Sequence, residues 1–312
     1  MEHFVTLFDS HFLPQGLALH ASLQRHHADS MMWVLCMDDA VQARLESLQL
    51  PGLRCIALAE AEVAEPRLNI VRPKRSRAEY CWTLTPLTPK LVFDRCEDAN
   101  RVTYVDADVY FLDDPALLLE GFSRSGKAVQ ITDHAYDPEH DYSAVSGKYC
   151  VQFVTFVRDI SEPVRSWWAE QCIEWCHAHP EPGRFGDQKY LDEWPRRFSD
   201  LVHELEPSDR LLAPWNANRF PYGRAVAWHF HGLRLLGNGR VLLHSRYHVP
   251  QVVDEFVYMP YVKELLEHAR RAGVDVVQAR VDRWWLRSLK SGVRVLQAAG
   301  RSWRSQQLIV KV

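Results

Sequence analysis

Asp106-Ala107-Asp108 places two carboxylates one residue apart at the end of the apolar run Val102-Thr103-Tyr104-Val105, with Val109-Tyr110-Phe111 directly after them. Oxygen donors of this kind suit a hard divalent cation, Mg²⁺ or Mn²⁺, which keeps open positions for the phosphates of a nucleotide. For both carboxylates to converge on one ion the chain must turn there, and Asp113-Asp114-Pro115 is a turn signal close by. Three later segments could complete such a site. Ala225-Val226-Ala227-Trp228-His229-Phe230-His231-Gly232 reads as a strand whose two histidines, at i and i+2, share a face. Phe185-Gly186-Asp187-Gln188 opens a helix with a carboxylate and an amide suited to hydrogen-bonding the hydroxyls of a sugar. Pro214-Trp215-Asn216-Ala217-Asn218 is a polar-aromatic loop between them.

The elements that must position these residues follow from hydrophobic periodicity. Strands at 3–8, 31–37, 53–58 and 101–106 alternate with helices at 14–27, at 40–48 and within 76–96. This rhythm implies an α/β fold with a mostly parallel central sheet covered by helices on both faces. Ligands of such sheets bind beyond the carboxyl ends of the strands, where Asp9, Asp38-Asp39 and Asp106 all fall. Asp38 or Asp39 is read chiefly as a helix cap. Beyond Asp108 the pattern is mixed: helices at 115–121, 162–178 and 187–194, strands near 127–132 and 150–157, and strand-like runs at 201–205, 225–231 and 240–244. Gly183-Arg184-Phe185-Gly186 is the best hinge candidate.

A chain of 312 residues, 47% apolar, can build one large core with an appendage. No stretch approaches the ~18 consecutive apolar residues of a membrane span, and no signal sequence opens the chain, so a cytoplasmic location is expected. Seven cysteines without framework spacing agree with a reducing compartment. Cys172, Cys176, His177 and His179 have the look of a zinc half-site, but the cysteines recur with Trp168 and Trp175 at helical spacing and are read as core. From Arg280 to Val312 eight basic residues face only Asp282, together with Trp284, Trp285 and Trp303. That segment reads either as a basic amphipathic helix on an anionic membrane surface, at the inner face of the cytoplasmic membrane, or as a terminal helix docked on its own domain. Without a recognised motif these charges do not point to nucleic acid.

At this point the sequence resembles the metal-dependent GT-A glycosyltransferases of the glycogenin and lipopolysaccharide galactosyltransferase type, the family 8-like enzymes. It looks closest to a group of bacterial relatives sharing Phe185-Gly186-Asp187-Gln188-Lys189-Tyr190-Leu191-Asp192, Ala213-Pro214-Trp215-Asn216 and His229-Phe230-His231-Gly232. The resemblance covers residues 3 to about 245. It implies a GT-A nucleotide-sugar-binding catalytic domain over 1–245, followed by a helical, basic-amphipathic extension over 246–312. Asp106 and Asp108 align with the two metal-binding carboxylates of the family and His229 with its histidine ligand, His231 being the second choice. Within Phe8-Asp9-Ser10-His11-Phe12, the match implies that Asp9 reads a uracil N–H, that His11 stands at the ribose and that Phe12 lies near the base. Lys90 falls where the family carries an arginine facing the diphosphate, and Arg234 stands in for a phosphate-binding lysine. Asn216 joins the donor-binding set, and Asp187 and Gln188 are the catalytic pair at the sugar. Tyr149-Cys150-Val151-Gln152 departs from the family's Tyr-Asn-Val-Gly turn, which removes a flexible backbone and an amide beside the sugar.

The implied reaction is transfer of a sugar from a nucleotide-diphosphate donor, a UDP-sugar, to a glycan, glycolipid or protein acceptor, with retention. It would serve bacterial cell-surface polysaccharide or glycolipid synthesis. A metal-bridged diphosphate leaves without a proton donor. Two rivals use the same triplet. A haloacid-dehalogenase-type phosphatase would place it on the first strand, whereas here three strands precede it. A catalytically silent nucleotide-sugar binder or scaffold would keep the fold without turnover.

Overall fold

A computed structural model describes residues 1–236, 240–274 and 307–311. In chain order the strands are β1 (Glu2–Phe8), β2 (Ser30–Cys36), β3 (Leu53–Ala57), β4 (Arg101–Val105), β5 (Val109–Phe111), β6 (Val129–Asp133) and β7 (Tyr149–Val157). They continue as β8 (Val202–Glu204), β9 (Leu211–Leu212), β10 (Ala227–His229), β11 (Arg234–Leu236), β12 (Arg240–Ser245) and β13 (Gln307–Lys311). The central sheet has seven strands in the order β3-β2-β1-β4-β7-β6-β8. Its first four strands are parallel and β7 runs antiparallel to both β4 and β6. A mostly parallel sheet with helical cover is therefore what the chain builds. Two three-stranded sheets flank it, β5-β10-β9 and β11-β12-β13.

The central strands read as nearly unbroken apolar runs because both of their faces are buried. Val5, Leu7, Trp33 and Leu35 pack on one side with Trp168 and Trp194, while Phe4, Phe8, Met32 and Val34 pack on the other with Leu17 and Leu23. The period-two split of β1 and β2 between these clusters fixes their register. Helix starts carry explicit caps. Asp38 accepts from Val41 N at 2.8 Å to start the Asp39–Leu48 helix, as expected. Ser76 and Glu79 form a capping box for Arg77–Leu84. Gly16 lets the Leu13–His26 helix lie on the sheet, since a Cβ there would meet the Phe8 ring at 2.2 Å.

Residues 246–274 pack onto this body. The Met259–Arg271 helix buries Tyr261, Val262 and Leu265 in one cluster with Trp228 and Phe230 of the preceding part. Arg25 of the first helix pairs with Glu264 at 2.8 Å, and Arg44 donates to the Ala272 carbonyl at 3.0 Å. Gln307–Lys311 is a strand rather than part of a helical extension, and it pairs antiparallel with β12. Ile309 and Val310 are β-branched neighbours whose strand preference is met by that open edge. Trp284, Trp285, Trp303 and the basic residues from Arg280 to Arg304 lie outside the described residues. Among the described residues no helix is long and apolar enough to cross a membrane. Cys172 and Cys176 are buried core residues, in line with the packing reading.

Because the Met259–Arg271 helix shares a core with β10, Leu265→Ala should lower the unfolding free energy by about 2–5 kcal/mol in a single transition. Urea melts followed by tryptophan fluorescence and circular dichroism would coincide. A separate early transition would show that 246–274 unfolds as its own unit.

Candidate functional site

The turn that brings the two carboxylates together lies within the triplet itself rather than at Asp113-Asp114-Pro115. Val109 N donates to the Asp106 carbonyl at 3.0 Å, so the chain leaves β4 of the central sheet, turns and enters β5 of the flanking one. β10 pairs antiparallel with β5, His229 opposite Val109, and Phe230 N donates to the Asp108 carbonyl at 2.8 Å. This pairing delivers the imidazole to the carboxylates. His229 Nε2 lies 3.0 Å from Asp108 Oδ1 and 3.8 Å from Asp106 Oδ2. One ligand atom from each of the three residues falls within 4.8 Å of the others.

The buried Gln152, within β7, faces His229, its Oε1 2.8 Å from Nδ1. A carboxamide oxygen can only accept, so Nδ1 carries a proton and Nε2 is the atom that faces the carboxylates, donating to Asp108 when the ring is charged and free to offer a lone pair to a cation when it is neutral. This residue was noted in the sequence only as a departure, and its role as the partner of a histidine is visible only in three dimensions. Tyr104, two residues before Asp106, donates its hydroxyl to Asp106 Oδ1 at 2.9 Å. Burial together with the Asp108 charge pushes Asp106 up from the usual carboxylate range, although His229 opposes the rise. Burial also works against an ionised Asp108, yet the adjoining His229 holds it well below that range. His229 itself is raised, since the two carboxylates outweigh the effect of burial. His231 is exposed, its ring 5.5 Å from that of His229, and it stands outside the three-residue cluster.

Asp187 is buried beside this cluster. Burial, followed by the negative charge of Asp106, pushes its carboxyl up to about 8, while hydrogen bonds from the Thr85 hydroxyl and from backbone N–H groups resist. The Asp187 carbonyl accepts from Trp168 Nε1 at 2.8 Å, which seats the start of the 3₁₀ helix Gln188–Glu193 on the core. Gln188 anchors its NH₂ end on the Ser146 carbonyl at 2.8 Å.

At the other end, Asp9 caps the 3₁₀ turn Ser10–Phe12 by accepting from His11 N and Phe12 N. Its second oxygen lies 2.5 Å from Arg77 Nε, and Arg77 also holds Asp38 at 2.7 Å. His11 is exposed beside Asp9. The guanidinium of Arg234 lies 5.1 Å over the Phe12 ring and is near enough to Asp108 to help hold it ionised.

Two expected residues stand elsewhere. Lys90, on the Thr88–Arg95 helix, is exposed and its ammonium is paired with Asp94 one turn on, so it is not brought to the cluster. Arg77 is the cation near Asp9, and the capping box just before Glu79 was the one signal that could have located it. Asn216 is fully buried, its Oδ1 accepting from Ala213 N at 2.8 Å and its Nδ2 donating to the His134 carbonyl at 3.1 Å. Its amide closes a turn. Its neighbour Trp215 instead walls the site, 5.2 Å from the His229 ring and 5.5 Å from that of His231.

No family model matches the chain. Uncharacterized protein YfnF of Bacillus subtilis (strain 168) is 27% identical over 284 residues, covering 85% of this chain and 90% of that one. Among solved structures, mouse xyloside xylosyltransferase 1 superposes with a TM-score of 0.52 at 13% identity, over 74% of this chain and 98% of that chain. The galactosyltransferase LgtC, in complex with donor and acceptor sugar analogs, superposes at 0.50 with 15% identity, over 92% of this chain and 99% of that chain. These likenesses establish the fold: the chain has the GT-A architecture, with its acidic triplet at the carboxyl edge of the central sheet.

Proposed function

We propose that the chain is a divalent-metal-dependent glycosyltransferase that moves a sugar from a nucleotide-diphosphate donor to a hydroxyl acceptor. One observation carries this reading: His229, oriented by Gln152 so that Nε2 faces the carboxylates, converges with Asp106 and Asp108 on a GT-A sheet edge. Two carboxylate oxygens and one imidazole nitrogen fit Mn²⁺, and Mg²⁺ where water completes the shell. When bound, the cation neutralises the charge that develops on a departing diphosphate, so no proton donor is required. Arg234 and Arg77 add positive charge on either side of Phe12 and Asp9. Asp9 and Phe12 would receive the base, with Asp9 accepting from the N3–H of uracil.

Asp187 would hold sugar hydroxyls, oriented by Thr85. With its NH₂ end tied to Ser146, Gln188 has its carbonyl oxygen left to stabilise positive charge at the anomeric carbon. An amide is a poor nucleophile, which favours a short-lived oxocarbenium-like species attacked from the leaving-group side and hence retention. The acceptor is a glycan, glycolipid or protein hydroxyl. The phosphatase alternative lacks support in the fold, because the triplet closes β4 rather than the first strand. Incubation of UDP-sugars with Mn²⁺ decides among the readings. The transferase should release UDP slowly, and Asp108→Asn should abolish release with the fold intact. Release of inorganic phosphate, or undiminished turnover in excess chelator, would overturn the proposal.

Gln152→Leu keeps the volume but removes the acceptor that orients His229. It should weaken Mn²⁺ binding by about 10–100-fold, measured by water-proton relaxation on protein whose circular dichroism is unchanged. Unaltered affinity would remove His229 from the ligand set.

The Asp187 carboxyl, raised in the folded chain to about 8 from an ordinary value of 3.8, binds a proton that the unfolded chain has released between those values. Stability of the metal-free protein should therefore fall as pH rises through that window. Asp187→Asn should flatten this decline and raise Tm at pH 8, while reducing turnover by a hundredfold or more. A variant with the parent's pH–Tm profile would show that Asp187 is ionised at neutral pH.

A further inference from the structure

A second cluster of metal-ligating side chains lies outside the site described above. Glu79, in the first turn of the Arg77–Leu84 helix, His177 and His179 each present one ligand atom, all within 4.8 Å of one another. His177 Nδ1 is 3.4 Å from Glu79 Oε1, and His179 Nε2 is 3.4 Å from Glu181 Oε1. These separations are longer than N–H···O hydrogen bonds of 2.7–3.2 Å. The Glu79–His177 separation matches the edge of a tetrahedron with arms of about 2.05 Å, which is about 3.4 Å.

The frame is also built for ligation. Glu79 is held by two backbone donors, Ala178 N to Oε1 at 2.8 Å and Ser76 N to Oε2 at 2.7 Å, each leaving a lone pair free on its oxygen. The two imidazoles lie face to face at 5.3 Å, both against the ring of Trp175, which restricts their rotation. Glu181 sits in a tight hairpin closed by reciprocal bonds with Arg184 at 2.9 and 3.0 Å. Two nitrogens and one or two carboxylate oxygens form the donor set of a borderline cation, zinc above all.

We propose that Glu79, His177 and His179 bind Zn²⁺, with water as the fourth ligand. The ion staples the start of the Arg77–Leu84 helix, which carries Arg77 toward Asp9, to the 177–186 segment that leads into Asp187. The role is structural: it ties the cationic end and the sugar end of the sheet edge to one fixed point. The inference is independent of the transferase reading, since it rests on a separate set of ligands.

The test uses the full-length, tag-free chain, stripped with chelator and dialysed against limiting Zn²⁺, with bound metal counted by plasma emission. Asp108→Asn should retain about one equivalent, whereas His177→Ala/His179→Ala should lose it. The single change His179→Gln, at an exposed position, should weaken zinc binding about tenfold or more without risk to the fold. Co²⁺ in place of zinc should give the intense visible bands of a tetrahedral centre in the parent and in Asp108→Asn. Zinc retained by the double-histidine variant at the parent's level, or lost entirely with Asp108→Asn, would overturn the proposal.

Discussion

The pairing of β5 with β10 is the constraint on which the rest of the site depends. Three residues on each strand bring together segments far apart in the chain, and the Phe230 N to Asp108 carbonyl bond closes the ladder beside the triplet. Such a short pairing has little stability by itself. It is held because Trp228 and Phe230 are fully buried with Tyr258 and Tyr261, so the terminal helix of the described chain supports the edge that carries Asp106, Asp108 and His229 from behind. The same rigidity keeps Asp106, Asp108 and Asp187 close in a poorly solvated place. Like charges there raise one another's proton affinity. His229, Arg234 and the Tyr104 hydroxyl offset part of that repulsion, and a divalent cation would offset more.

Much of this was legible in the sequence, for reasons that can be named. β1, β2 and β4 are largely apolar on both faces, and the alternation with helices is a direct consequence of covering a parallel sheet. Asp38 announced itself as a cap by its position before an amphipathic run. The acidic triplet and the histidine strand were recognisable because their residue types are rare at the ends of buried strands. What could not be read was pairing over distance. β5, at three residues, gives no periodic signal, so its departure from the central sheet passed unnoticed. Gln152 and His229 are 77 positions apart, and nothing local marks an amide as the partner of an imidazole. Lys90 and Arg77 lie on neighbouring helices, and only the path of the chain between them decides which cation faces Asp9. Asn216 looked like a ligand because Asn is polar, but a buried turn needs the same amide for its own backbone.

The two ends of the site are built from different materials, and this bears on what each can do. Asp106, Asp108 and His229 hang from strand ends whose neighbours are paired backbone and buried aromatic rings. Asp187 and Gln188 begin a 3₁₀ helix, and the partner of Gln188 is the four-residue helix Ser143–Ser146. That side is joined by single polar contacts: Gln188 to Ser146, Lys189 Nζ to the Ser143 carbonyl at 2.8 Å, and Lys148 N to Asp192 at 2.8 Å. Single contacts of this kind each contribute about 0.5–1.5 kcal/mol, so the end that carries Asp187 and Gln188 is the softer one. A leaving group common to all nucleotide donors calls for fixed charge. The sugar and acceptor vary between enzymes of one architecture, and short 3₁₀ and helical turns can be altered without disturbing the sheet that carries the charge. Gln152 reaches inward between the two ends: its side chain, on β7, anchors the His229 ring.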